Sequence, residues 1–164
     1  MALVRLQYGR DCTEGEIAEG LALFLDPETL RSDRGFSWID VWNRIRRLGP
    51  DCRLVKGNHY FVVIGRSGDR VALVPAYSDA KAYRISAVAK SGDPRWIRHS
   101  TNLDPHQVWI VPVEAVLAAA QVAGDGSDRG CRNRVEPEVV REIREHIAEH
   151  CNRKESRDET ATAA

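Results

Sequence analysis

No stretch of this 164-residue chain approaches the roughly 20 consecutive apolar residues that cross a bilayer, which excludes a membrane-spanning helix. The first ten residues, Met1 to Arg10, hold no apolar segment followed by a small-residue cleavage site, so the expected location is cytoplasmic. Cysteine is sparse. Cys12, Cys52, Cys131 and Cys151 stand far apart with no Cys-x-x-Cys pair, which excludes a disulfide framework and the usual zinc knuckle. Glycine signatures are missing too: no Walker loop, no dinucleotide fingerprint and no Gly-x-Ser-x-Gly elbow occurs. Nucleotide cofactors and serine hydrolysis are therefore disfavoured, and no cofactor is expected.

What is present is charge, balanced overall and uneven along the chain. Residues 31–100 hold 14 basic and 6 acidic side chains, whereas residues 1–30 hold 2 and 6 and residues 101–164 hold 8 and 12. A basic centre between acidic ends can draw in a polyanion such as RNA or DNA. The length fits one domain, able to bury about two thirds of the surface of its unfolded form.

The pattern predicts an α+β protein. Thr13-Glu-Gly-Glu16 has the spacing of a capping box, so a helix is expected through Leu25, ended by Asp26-Pro27. A second helix is expected over Ser37–Leu48, with Trp38, Ile39, Trp42 and Ile45 on one stripe. Strands are expected at Cys52–Val55, His59–Ile64, Arg70–Pro75, Ala82–Ile85, Arg95–Arg98 and Gln107–Val111, the second and third joined by a Gly65–Asp69 hairpin loop. About five short antiparallel strands imply a small curled barrel, because closure removes exposed edges. Two C-terminal helices follow, Val113–Ala123 and Pro137–Cys151. Residues 1–51 are thus read as a helical segment packed on the barrel, 52–152 as the barrel with its C-terminal helices, and 153–164 as a disordered tail.

Two constellations carry potential chemistry. His146 and His150 are four apart, with Cys131 and Cys151 nearby in sequence; with no paired cysteines, no metal is assigned, and both are read as solvent-facing histidines near a helix C-terminus. The sharper set is His59, Ser78, Asp79, Arg95, Arg98, His99, Ser100 and His106, in or beside the predicted strands. Metal-free cleavage of an RNA phosphodiester needs a base for the 2′-hydroxyl, a cation for the phosphorane charge and an acid for the leaving oxygen. Histidine, carboxylate and arginine suit those roles.

The order of Asn58-His-Tyr-Phe-Val-Val-Ile64, Val71-Ala-Leu-Val-Pro-Ala-Tyr-Ser-Asp79, Trp96-Ile-Arg-His-Ser100 and Asp104-Pro-His-Gln-Val-Trp-Ile-Val111 resembles the PemK/MazF toxin family over residues 57–123. That resemblance implies an SH3-like barrel that cleaves single-stranded RNA without metal, dimerises and is neutralised by an antitoxin. From the cluster above, Arg98, to stabilise the phosphate, and His99 or His59, to transfer the proton, are the expected catalytic residues of such a ribonuclease, and Ser78, Asp79, Arg95 and Ser100 the expected substrate contacts. The alternative is a non-enzymatic protein-binding module, a regulator or inhibitor, anchored through Trp38 and Trp42. Expected partners are accordingly RNA, a cognate antitoxin or other protein, and a second copy of the chain.

Overall fold

The computed structural model describes residues 4–5, 11–12, 14–49, 51–86, 88–124 and 133–162, and for 4–5, 11–12, 14 and 151–162 the backbone alone. The strands are β1 (Val4–Arg5), β2 (Asp11–Cys12), β3 (Ala22–Leu25), β4 (Ser37–Asp40), β5 (Ile45–Arg47), β6 (His59–Ser67), β7 (Arg70–Tyr77), β8 (Lys90–Ser91), β9 (Asn102–Leu103), β10 (Gln107–Pro112) and β11 (Arg134–Val135). The helices are α1 (Pro27–Ser32), α2 (Pro94–Arg98), α3 (Val113–Ala123) and α4 (Pro137–Thr162). Among them, no helix is long and apolar enough to cross a membrane.

The main sheet is antiparallel, seven-stranded and ordered β3–β6–β7–β10–β4–β5, with β9 on β7. β1–β2 and β8–β11 form separate pairs. This is an α+β fold, as the pattern predicted, but the expected curled barrel is not formed among the described residues: the strand path runs open from β3 to β5. Helices, rather than closure, bury its two faces. Phe61, Val63, Leu73, Trp109 and Val111 join Leu30 of α1 and Val116 and Ala120 of α3 in one core. Their sequence neighbours Val62, Val74 and Val108 join Trp96 of α2 and Val139, Val140 and Ile143 of α4 in a second. The outer strand β5 is three residues long and carries Arg46 and Arg47, features that discourage edge-to-edge pairing.

Burial on both faces turns strands into continuous apolar runs that lack alternation. The main corrections fall on the shorter strands at the two ends of the sheet. Neither expected N-terminal helix exists: Glu14–Glu16 is a single 3-10 turn, Thr13 lies outside the described residues, and Gly20 at φ +88° leaves the helical region before β3 begins. Asp26-Pro27, read as a stop, is a start. The Asp26 carboxylate accepts from the Thr29 N–H at 3.1 Å, and Pro27 occupies the first turn of α1. The Ser37–Leu48 segment is the β4–β5 hairpin, turned where Asp40 accepts from the Asn43 N–H and Arg44 takes φ +55°. Residues 22–47 therefore supply three strands of the sheet itself.

Downstream, β6, β7, β10 and α3 lie where expected, with the hairpin turn at Gly68–Asp69. Cys52–Val55 is a series of turns, and Ala82–Ile85 provides only an isolated bridge from Ile85 to Leu103. Arg95–Arg98 is helix, not strand. α4 continues past Cys151 to Thr162.

Candidate active site

α2 is set against the sheet by its ends and its one buried side chain. The Asp93 carboxylate accepts from the Arg95 N–H at 2.8 Å, Pro94 follows in the first turn, and the Asp93 N–H donates to Asn133 Oδ1 at 2.8 Å. Trp96, 2% exposed, packs against Tyr60 with ring centroids 4.7 Å apart and donates from Nε1 to the Arg134 carbonyl. A helix places residues i and i+2 on nearly opposite sides. With Trp96 inward, Arg98 points out and Arg95 and Ile97 are exposed; the strand alternation expected for this segment does not apply.

Lys90 fixes the segment after α2. Its ammonium donates to the carbonyls of Trp96 at 2.6 Å and His99 at 2.5 Å and to the Thr101 hydroxyl at 2.9 Å, and lies 4.8 Å from the Trp96 ring centroid. The last carbonyls of a helix lack intrahelical partners, and a cation satisfies them well. Partial burial pushes the Lys90 amine below the ordinary lysine value. On the facing side, the Asn102 side chain donates to the carbonyls of Tyr77 and Ser78 at 3.4 and 3.2 Å and accepts from Ser86. Lys90 and Asn102 thus hold residues 99–101 beside the end of β7.

Between them opens a cleft of about 210 Å³ lined by His59, Tyr60, Tyr77, Ser78, Trp96, His99 and Ser100. It shares Ser78, His99, Ser100 and Thr101 with an adjoining cleft of about 420 Å³ whose wall includes Arg98 and Lys90. Four of the seven predicted site residues, His59, Ser78, His99 and Ser100, therefore line one cavity, and Arg98 lines its neighbour. His59 Nδ1 stands 2.9 Å from the Gly57 carbonyl, an acceptor, which assigns the proton to Nδ1 and leaves the Nε2 lone pair available. The His59 ring meets Tyr77 edge to face at 5.3 Å. Burial, then Asp104, pushes the Tyr77 phenol up to about 12, so it stays protonated and can only donate or accept hydrogen bonds.

Asp79 and Arg95 line neither cleft. Asp79 accepts from Arg84 at 2.5 Å, whose guanidinium lies 3.6 Å from the Tyr77 ring centroid. Other arginines of the basic centre are similarly engaged: Arg47 and Arg53 meet Asp40 and Arg31 meets Glu28. Part of the basic centre is thereby engaged in local ion pairs, while Arg95 and Arg98 are exposed.

His106 is elsewhere. It is 4% exposed and lines a third cleft, of about 280 Å³, with Trp42, Tyr83, Asp104 and Gln107. Trp42 stacks on its ring at 3.9 Å, Asp104 Oδ1 stands 3.5 Å from its Nδ1, and His146 Nε2 stands 3.4 Å from its Nε2. Burial, with His106 alongside, holds His146 below the ordinary imidazole value. His146 and His150 are half-buried and not at a helix end, correcting the solvent-facing reading; Cys131 lies outside the described residues. Lys90, Asn102 and the His106 cluster escaped the sequence reading, since Lys90 acts across 6 to 11 positions, Asn102 across 16 to 25 and His106–His146 across 40.

No family model matches the chain, and neither a curated protein nor a solved structure matches it significantly.

Proposed function

We propose that the chain is a metal-independent endoribonuclease of toxin type acting on single-stranded RNA in the cytoplasm. The observation that carries this reading is the shared cleft, in which His59, with its Nε2 lone pair available, and His99 face Ser78 and Ser100. His59 Nε2 takes the 2′-hydroxyl proton as the 2′-oxygen attacks phosphorus. His99 gives a proton to the departing 5′-oxygen as the P–O5′ bond breaks, and Arg98 balances the phosphorane charge from the adjoining wall. Products are a 2′,3′-cyclic phosphate and a 5′-hydroxyl. Tyr60 and Tyr77 offer ring faces and edges for an unpaired base. The resemblance of residues 57–123 to PemK/MazF toxins supports the same chemistry, and with it an antitoxin partner and a homodimer.

The test is a single-stranded RNA carrying one 2′-deoxy nucleotide at the mapped cleavage position. Loss of cleavage at that bond alone supports in-line attack by the 2′-oxygen, and cleavage there overturns it. A second reading, a protein-binding module, is favoured by the β4–β5 hairpin region, where Trp42, Ile45 and Leu48 are 48%, 47% and 77% exposed.

A further inference from the structure

The histidines around His106 have a geometry that packing alone does not require. Two imidazole nitrogens bound to one tetrahedral zinc at about 2.0–2.1 Å lie about 3.3 Å apart; His106 Nε2 and His146 Nε2 stand 3.4 Å apart. Behind His106, Asp104 Oδ1 lies 3.5 Å from Nδ1, and Nδ1 is buried and makes no hydrogen bond. Metal-bound histidines regularly present their second nitrogen to a carboxylate, which fixes the tautomer and raises ligand basicity. Asp104 is itself fixed, accepting from the His106 N–H at 2.9 Å and from Gln107 Nε2 at 3.0 Å.

A third imidazole is at hand. His150 lies one helical turn beyond His146, and residues four apart share a helix face. Its ring centroid is 5.7 Å from that of His106 and 5.2 Å from Trp42. No three metal-ligating side chains among the described residues already surround one point, so His150 must turn its ring about its side-chain bonds to complete the set. Glu142 and Glu149, near enough to His146 to act on it electrostatically, add favourable negative charge.

We propose that His106, His146 and His150 form a binding site for a divalent transition metal of the zinc class, with Asp104 orienting His106. The metal ties α4 to the loop before β10, and three protein ligands leave a fourth position to solvent. This goes beyond the ribonuclease reading and shares no residue with its cleft.

The test is titration of the full chain with Zn²⁺ and with Co²⁺, followed by calorimetry, the visible bands of tetrahedral cobalt and the histidine ring nitrogen signals. One equivalent is expected to bind with a Kd of about 1 µM or below, shifting the Nε2 signals of His106 and His146 and raising Tm. His146→Ala, at a half-exposed position, is expected to weaken binding at least about 100-fold, and Asp104→Asn about 10-fold. A triple Cys52→Ser, Cys131→Ser, Cys151→Ser variant is expected to bind as tightly as the parent. Absence of one-equivalent binding, or binding undiminished in both His146→Ala and His106→Ala, overturns the site. Cleavage of RNA in EDTA is unaffected by either outcome, so this proposal and the ribonuclease reading fail separately.

Discussion

The ammonium of Lys90, on a two-residue strand, donates to the carbonyl of His99 at 2.5 Å, so the placement of a proposed catalytic imidazole depends on a lysine nine positions earlier. Lys90 touches no reacting atom in the proposed mechanism; it positions. Lys90→Met keeps the stem that covers Trp96 but releases the carbonyls of Trp96 and His99. Turnover is expected to fall by on the order of 10²-fold, because a displacement of about 1 Å has that effect on an aligned site. Stability is expected to fall by only about 1 kcal/mol. Steady-state kinetics should show the loss in kcat more than in KM, with Lys90→Arg restoring part of it. A purely structural role predicts unchanged kcat in the folded variant.

Trp96→Ala is expected to destabilise the protein by about 3–5 kcal/mol, the range for removing a buried large aromatic. Trp96 is enclosed by Tyr60 and the second core, and truncation also leaves the Arg134 carbonyl without its indole donor. Urea denaturation measures the loss. A change below about 1 kcal/mol would mean that α2 is not anchored there.

The strand content was legible where one segment is long and β-branched: His59–Ile64, Arg70–Pro75 and Gln107–Val111 all lie in strands. It was illegible where the strands are four residues or shorter, at the two ends of the sheet. Leu21-Ala-Leu-Phe-Leu25 and Trp38-Ile39 read as helix because neither face is polar, and only Gly20 at positive φ and the Asp40 turn mark the difference. Arg95–Arg98 failed for another reason: its strand-like length hid an Asp93 cap followed by Pro94, a helix start that propensity alone does not reveal. The candidate site was half legible. His59, Ser78, His99 and Ser100 converge because β9 pairs with β7 at Ala76–Leu103 and Tyr77–Asn102, a tertiary register that no local pattern encodes.

Asp79→Asn is expected to lower the urea midpoint at neutral pH, and the deficit should vanish in acid. The hydrogen bond from Arg84 holds the Asp79 carboxyl below the ordinary value of 3.8. The folded state thus binds its proton less readily than the unfolded state, so the contribution is present above pH 3.8 and is lost as pH falls through the depressed folded value. Parent and variant midpoints measured from pH 7 down to about 2 should converge. A gap that stays constant over that range contradicts the pairing.

Leu48→Ser and Ile45→Ser separate the second reading from the first. Both residues are exposed, so replacement is expected to leave RNA cleavage within about twofold, the usual scale for surface changes of under 0.5 kcal/mol. Capture of a cognate protein partner through this hairpin would instead weaken by about 10-fold or more. Cleavage activity measured beside partner affinity by calorimetry checks both.

The most direct measurement is cleavage of a mixed single-stranded RNA in EDTA by the parent protein, His59→Ala and His99→Ala, with the product ends mapped. The account predicts cleavage by the parent to 2′,3′-cyclic phosphate and 5′-hydroxyl ends. Each variant should lose about 10²–10⁴-fold in rate, with part of the activity returning on addition of imidazole. A parent protein that leaves RNA intact in EDTA, or variants that cleave as fast as the parent, would contradict it.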